Sequence, residues 1–139
     1  MNARVFVDTN VWAYVFDAAD RTKQKAARRR LDEERKRSEL VVSTQVMQEL
    51  FVCLTRGQHP ITTAERAERA VRDVSALTVV QIDTPLVLAA IAVSRQQSLS
   101  LWDALIVQSA TTSGCSVLLT EDLSHGQIFD GVRVENPFR

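Results

Sequence analysis

A short apolar run near the start of the chain, Val5-Phe6-Val7, ends on Asp8, and the residues that follow favour the start of a helix. β-branched and aromatic residues in succession are typical of a buried strand. An acid at the carboxyl end of such a strand lies where open α/β sheets place their ligand sites. The function of the chain therefore depends on whether other acids reach the same point.

Strand-like and helix-like segments alternate along the rest of the chain, which predicts crossover connections and a mainly parallel sheet covered on both faces. We find no repeat or linker, so residues 1–139 are expected to form one α/β domain. Further strands are predicted at 39–42, 79–82 and 117–119, with a short edge strand over 131–136. Helices are predicted over 10–16, about 22–37 (capped by Asp20 or Thr22), 44–55, 62–76 (opened by a capping box), 84–97 and 101–113.

Composition limits the classes of partner and compartment. With 17 basic and 17 acidic residues the formal net charge is zero, so a nucleic acid would have to be held by a local basic patch or a metal ion. No apolar run of about eighteen residues and no signal-like segment is present, which predicts a cytoplasmic protein without membrane insertion. Cys53 and Cys115 are expected to be reduced thiols, because no further Cys or His lies at metal-ligand spacing.

Four carboxylates stand among apolar neighbours: Asp8, Glu49, Asp103 and Asp122. Burying an ionised carboxylate is unfavourable by several kcal/mol unless it is paired, hydrogen-bonded or bound to a metal. Taken singly, the three aspartates have ordinary explanations as a helix cap, a first-turn acid and a turn residue. Glu49 is harder to explain in this way, because helical spacing places it on the stripe of Val46, Leu50 and Cys53.

Taken together, the four acids can converge on one pocket. Asp8 and Asp122 end strands that meet at one sheet edge if the strands are parallel neighbours, and the helices carrying Glu49 and Asp103 adjoin that edge. Converging carboxylates require a shared cation, and an all-oxygen ligand set predicts Mg²⁺ or Mn²⁺. Such a site suits phosphodiester hydrolysis. The short polar residues that could orient the acids are Thr9, Asn10, Ser43 and Thr120.

These segments resemble the acidic motifs of the PIN-domain ribonucleases. The resemblance rests on Val-Phe-Val-Asp8-Thr-Asn-Val-Trp, on Glu49 after a strand and Ser43-Thr44, on Leu-Trp-Asp103-Ala-Leu-Ile-Val, and on Leu-Leu-Thr120-Glu-Asp122. It extends to the ending Val-Glu-Asn-Pro-Phe. At this length the chain looks most like the toxin of a VapBC-type toxin-antitoxin pair.

The resemblance implies a three-layer α/β/α sandwich and an Mg²⁺- or Mn²⁺-dependent endoribonuclease whose site is formed by the same four acids. Thr120 is implied to support the last acid, while Glu121 beside Asp122 leaves the identity of the fourth ligand open. It also implies a homodimer, a cognate antitoxin that occupies the acidic pocket, and structured substrates such as transfer or ribosomal RNA. His125 is interpreted as a turn residue, since the family does not use it.

Two sets of alternatives remain open. A receiver-type phosphoacceptor domain also places acids at strand ends, but it needs a lysine after a late strand, and no lysine follows Lys36. A PIN-like fold could instead process RNA without an antitoxin, or only bind RNA or protein. The basic segment from Lys23 to Arg37 is either a solvated helix face or a phosphate-binding patch, with Arg28, Arg29 and Arg30 as the candidate RNA contacts.

Overall fold

The computed structural model describes residues 3–139, which form one mixed sheet with helices packed on both of its faces. The strands are β1 (Ala3–Val7), β2 (Ser38–Ser43), β3 (Thr78–Val80), β4 (Val117–Leu119), β5 (Ile128–Phe129) and β6 (Val132–Glu135). The helices are α1 (Thr9–Phe16), α2 (Arg21–Arg37), α3 (Thr44–Thr55), α4 (Ala64–Ser75), α5 (Thr84–Gln97) and α6 (Leu101–Thr112).

The sheet has the strand order β3-β2-β1-β4-β6-β5, with every neighbouring pair parallel except β5 and β6. The central strands contain successive buried residues, as Val5, Phe6 and Val7 show with exposures of 2, 0 and 0%. Because side chains alternate between the two faces of a strand, this pattern requires cover on both sides of the sheet. The predicted α/β/α sandwich is confirmed.

The strand pair β1 and β4 fixes the position of the first acid. Val7 is opposite Leu119 in the parallel register, and the backbone N–H of Asp8 donates to Leu119 O at 3.0 Å. The chain leaves β1 at Asp8 and β4 at Thr120, so both strand ends open at the same edge of the sheet. The predicted adjacency of these two strands is confirmed.

The tail departs from the prediction of an edge strand. β6 lies inside the sheet, between β4 and the two-residue strand β5, which is the actual edge. Asp130 and Gly131, with φ of 47° and 82°, join β5 to β6, and an Asp-Gly pair with positive φ is a common two-residue hairpin connection. The edge prediction was wrong because Ile128–Phe129 is too short to stand out as a strand.

Several helix starts differ from the prediction by one residue. The N-cap of α4 is Thr63, whose Oγ1 accepts from the N–H of Arg66, so the reciprocal box predicted from Thr62 does not set the start. Asp83 caps α5 and places Pro85 at the second helical position. The cap of α2 is Asp20, one of the two residues predicted. Within residues 3–139 no helix combines the length and apolarity needed to span a bilayer.

Candidate active site

A cleft of about 640 Å³ opens at the carboxyl ends of β1 and β4, between α1, α3 and α6. Four separate elements of the chain bring acids to its walls. The predicted acids that line it are Asp8, Glu49, Asp103 and Asp122, joined by Glu121 and Asp17. The structure therefore brings the four predicted acids to one cleft.

Asp8 forms the floor of the cleft and is 5% exposed. As the N-cap of α1 it accepts from the N–H of Thr9 at 2.7 Å, and its second oxygen accepts from Thr120 Oγ1 at 2.8 Å. Burial raises the pKa of Asp8 to about 7; these two hydrogen bonds oppose the shift, and the charges of Asp122 and Glu49 add to it. Without a cation, the Asp8 carboxyl group is therefore only partly ionised at neutral pH.

Asn10 links the two acids at the strand ends. Its Nδ2 donates to Asp122 Oδ2 at 3.0 Å and lies 3.4 Å from Asp8 Oδ2, while its Oδ1 accepts from the N–H of Glu121 at 3.3 Å. Thr120 Oγ1 also accepts from the N–H of Asp122 at 3.1 Å. Together these bonds fix the corner after β4. Asn10 and Thr120 thus orient carboxylates, which is the role expected of short polar residues beside the acids.

Glu49 and Asp103 approach from the walls of the cleft. Asp103 lies in the first turn of α6, where its N–H donates to the capping Ser100 Oγ at 3.1 Å. Glu49 is an exposed residue of α3, although Val46 and Leu50 of the stripe to which it was assigned are fully buried. The expectation that Glu49 would not face solvent was wrong, because its side of the helix lines the open cleft. Partial burial raises the pKa of Glu49, as does repulsion from Asp122 and Asp103.

Glu121 differs from its neighbour because it forms an ion pair. Its carboxylate lies 2.8 Å from Lys23 Nζ, with the two side chains 23% and 34% exposed. In the part of the chain from 3 to 139, it is the one acid of the cleft that pairs with a basic side chain in this way. Burial raises the pKa of Asp122, and the charges of Asp103 and Glu121 raise it further against the bond from Asn10.

Other predicted residues lie away from the cleft. Ser43 is fully buried and caps α3 by accepting from the N–H of Val46. Arg28 donates to Val15 O, Arg29 pairs with Glu33, and Arg30 pairs with both Glu34 and Glu135. Their contact with RNA stays a prediction, although Arg30 already has a structural role.

His125 and the cysteines match their simpler interpretations. The Nδ1 of His125 accepts from the N–H of Asn136 at 3.0 Å, which ties the loop after β4 to the chain beyond β6. Cys53 and Cys115 are both free. Cys53 lines the cleft, whereas Cys115 and His125 do not.

The cleft offers carboxylate, amide and hydroxyl oxygens, which are the kinds of ligand atom that a hard divalent cation prefers. Two of the three buried polar atoms without a hydrogen-bond partner in residues 3–139, Thr9 Oγ1 and Gln45 Oε1, belong to cleft residues. In the same residues no three His, Cys, Asp or Glu side chains are close enough to enclose one ion. An ion here would take its remaining ligands from water, as Mg²⁺ usually does.

Sequence reasoning missed three features of the cleft. Trp102 is 64% exposed at the rim beside Asp103, and its carbonyl oxygen accepts from Gln45 Nε2 at 3.1 Å. Arg56 also lines the cleft. Lys23 was assigned to the charged helix face although it reaches Glu121. Trp102 could have been recognised as an apolar residue at a helix position that faces solvent. No local pattern indicated the partner of Lys23.

Comparison with known proteins agrees with this geometry. The PIN domain family matches residues 5–128. No curated protein gives a significant match. Among solved structures, the chain is similar to VapBC2 from Rickettsia felis bound to a DNA fragment from their promoter, with 16% identity, a TM-score of 0.69, and 96% of this chain and 98% of that chain covered.

Two further solved structures have the same fold. VapC20 from Mycobacterium tuberculosis, described as a sarcin-ricin loop cleaving toxin, has 22% identity and a TM-score of 0.66, over 82% of this chain and 86% of that one. DNA-bound VapBC from Salmonella typhimurium has 20% identity and a TM-score of 0.68, over 97% and 98%. The family match excludes the receiver-type alternative, and the chain belongs to the PIN domain family.

Proposed function

We propose that this PIN domain is a divalent-metal-dependent endoribonuclease and the toxin of a VapBC-type toxin-antitoxin pair. The observation that carries the proposal is the convergence of four carboxylates, from β1, α3, α6 and the corner after β4, on one cleft. Burial is the main cause of the raised pKa of Asp8, Glu49 and Asp122, and repulsion between neighbouring carboxylates raises each pKa further. This arrangement is unfavourable unless a ligand of positive charge compensates it.

Mg²⁺ or Mn²⁺ in this cleft, held by Asp8, Glu49, Asp103 and Asp122 in part through water, would supply Lewis-acid activation of water and neutralise charge at the phosphate. The residues of the chain provide the alignment. Thr9 and Thr120 fix both oxygens of Asp8, and Asn10 holds Asp122 at a set distance from it. These bonds preorganise the acids, so little rearrangement is needed when substrate binds.

The partners follow from the same charge. Negative potential in the cleft favours a basic side chain from another protein when no cation is bound, which suits inhibition by a cognate antitoxin. The solved neighbours described as VapBC and as a toxin-antitoxin complex support this role, and we propose that the active form is a homodimer. A small DNA-binding protein encoded directly upstream would support the toxin role, whereas its absence would favour RNA processing without an antitoxin.

The test is cleavage of purified transfer RNA and ribosomal RNA by wild-type protein and by Asp8→Asn. We expect wild type to cleave with Mg²⁺ or Mn²⁺ and to stop when the metal is chelated, and we expect Asp8→Asn to fall to background while its thermal unfolding stays cooperative. The matched control is Asp32→Asn, the same chemical change on an exposed position of α2. Equal cleavage by wild type and Asp8→Asn would overturn the proposal.

A further inference from the structure

The two adjacent acids after β4 are directed to different partners. Asp122 accepts from Asn10 Nδ2 at 3.0 Å, on the side of the cleft that holds Asp8. Glu121 instead accepts from Lys23 Nζ at 2.8 Å. Glu121 also lines the cleft, but its carboxylate is engaged in this ion pair.

Lys23 is itself held by an aromatic pair. Its Nζ lies 4.7 Å from the ring centroid of Tyr14 and 5.4 Å from that of Phe138, and it donates to the Tyr14 hydroxyl at 3.2 Å. The two rings contact each other edge to face at 4.9 Å. Cation–π contact and a charge-assisted hydrogen bond both restrict the ammonium group to this position. Lys23 therefore joins α1, α2, the corner after β4 and the end of the chain.

We propose that Lys23 is a positioning residue that keeps Glu121 out of the metal-binding set, so that Asp122 alone of the adjacent pair serves the cation. The inference rests on the proposed function and assigns the fourth acid within it. Its physical basis is the ion pair of Lys23 and Glu121, which neutralises one negative charge at the edge of the cleft. Without Lys23, the free Glu121 carboxylate would be drawn to the cation that the other acids share.

The experiment measures Mn²⁺ binding to RNA-free protein by calorimetry and by electron paramagnetic resonance, which needs no enzymatic activity. We expect Lys23→Met to bind Mn²⁺ more tightly than wild type, because the Glu121 carboxylate is then free to join the oxygen ligands. Glu121→Gln should bind as wild type does, and Lys23→Met combined with Glu121→Gln should return to the wild-type affinity. Lys23→Arg keeps the charge and should also bind as wild type does.

Lys25→Met controls for the simple loss of a positive charge, since Lys25 is exposed on the same helix two residues away. An equal gain in affinity in Lys23→Met and Lys25→Met would overturn the inference, because it would reduce the effect to long-range charge. A loss in Glu121→Gln as large as that in Asp122→Asn would also overturn it, by making Glu121 a ligand. If Lys23→Met does not fold, Lys23→Gln removes the charge and retains a donor.

The same titrations separate this inference from the function it rests on. Wild-type protein that binds no Mn²⁺, or an Asp122→Asn variant that binds it normally, would overturn the metal site itself and the inference with it. Normal wild-type binding, lost in Asp122→Asn but unaffected by Lys23→Met, would overturn the role of Lys23 alone. Cooperative thermal unfolding of each variant shows that the comparison is made between folded proteins.

Discussion

The molecule contains two clusters of acids that are treated in opposite ways. The Glu34 cluster is formed by Glu34, Glu135, Arg30, Arg37 and Arg133. Both of its carboxylates, the buried Glu34 and the half-buried Glu135, receive hydrogen bonds from arginine side chains. In the cleft, Asp8 is buried to the same degree, 5% exposed against 2% for Glu34, but its donors are an N–H, a hydroxyl and an amide. Two carboxylates with similarly little exposed surface therefore lie in opposite electrostatic environments.

The pKa shifts express this difference. Burial alone would raise the pKa of Glu34, but hydrogen bonds from Arg37, Ser38 and Arg30 lower it below its usual value. The pKa of Asp8 is raised to about 7 because no comparable positive charge offsets its burial. Arginine side chains compensate the charge of the first cluster, whereas in residues 3–139 Glu121 is the one acid of the cleft that pairs with a basic side chain.

The largest expected effect on this comparison comes from a substitution at Glu34. Replacing it with Ala removes the acceptor of hydrogen bonds from Arg30, Arg37 and Ser38, although Arg30 keeps Glu135 as a partner, and we expect a loss of about 2–3 kcal/mol in the free energy of unfolding. Urea denaturation measures this, with Glu33→Ala on the exposed side of α2 as the control. Equal midpoints for the two variants would show that the cluster contributes nothing special.

The second prediction concerns pH and the metal-free protein. The pKa of Asp8 is higher in the folded state than its ordinary 3.8, so its contribution to stability is complete below about pH 4 and is lost as pH rises through about 7. A shift of this size corresponds to at most about 4 kcal/mol at 1.36 kcal/mol per unit. We expect Asp8→Asn to flatten the fall in melting temperature between pH 5 and pH 8; an unchanged slope would contradict the prediction.

The third prediction concerns the exposed aromatic at the rim of the cleft. We expect Trp102→Ala to weaken RNA binding by about 1–3 kcal/mol through loss of base stacking, while Trp102→Phe retains most of the affinity. Fluorescence in metal-free buffer reports this contact, because Trp12 is buried and its Nε1 donates to Val7 O. RNA that quenches wild type and Trp102→Phe equally would remove Trp102 from the interface.

The smallest expected effect is on the basic face of α2. Charge reversal of Arg28 and Arg29 should weaken RNA binding and lower the slope of affinity against salt by about one per phosphate contact. Arg30 is left unchanged, because its ion pairs with Glu34 and Glu135 would be broken at the same time. Binding with an unaltered salt slope would return this face to the role of a solvated surface.

Local sequence patterns were enough to place the acids but not their partners. The apolar run before Asp8 and the cap before Asp103 are short-range signals, and they predicted both the strand end and the first helical turn where these acids lie. The pair of Lys23 and Glu121 joins residues 98 positions apart, so no local pattern could indicate it. Only the packing of distant segments in the folded chain brings these two side chains together.

The hairpin of β5 and β6 was missed for a different reason. Its Asp-Gly connection was visible in the sequence, but two flanking residues such as Ile128 and Phe129 do not form an alternating pattern long enough to recognise. Glu49 shows a different error, because helical spacing assigned it to the stripe of Val46 and Leu50, which is buried, whereas its side chain lies on the adjacent face that lines the cleft. A sequence pattern indicates which residues share a helix face, but the packing of the folded chain determines whether that face is covered.

The central place of β1 has a consequence for motion. Because β1 pairs with a strand on each side, the amide of Asp8, bonded to Leu119 O, should be among the slowest in the chain to exchange with deuterium. Glu49 and Asp103 lie on helices, outside this ladder of strands. We therefore expect Asp8 to have the most rigid backbone position of the four acids, which makes it the fixed reference point for whatever the cleft binds.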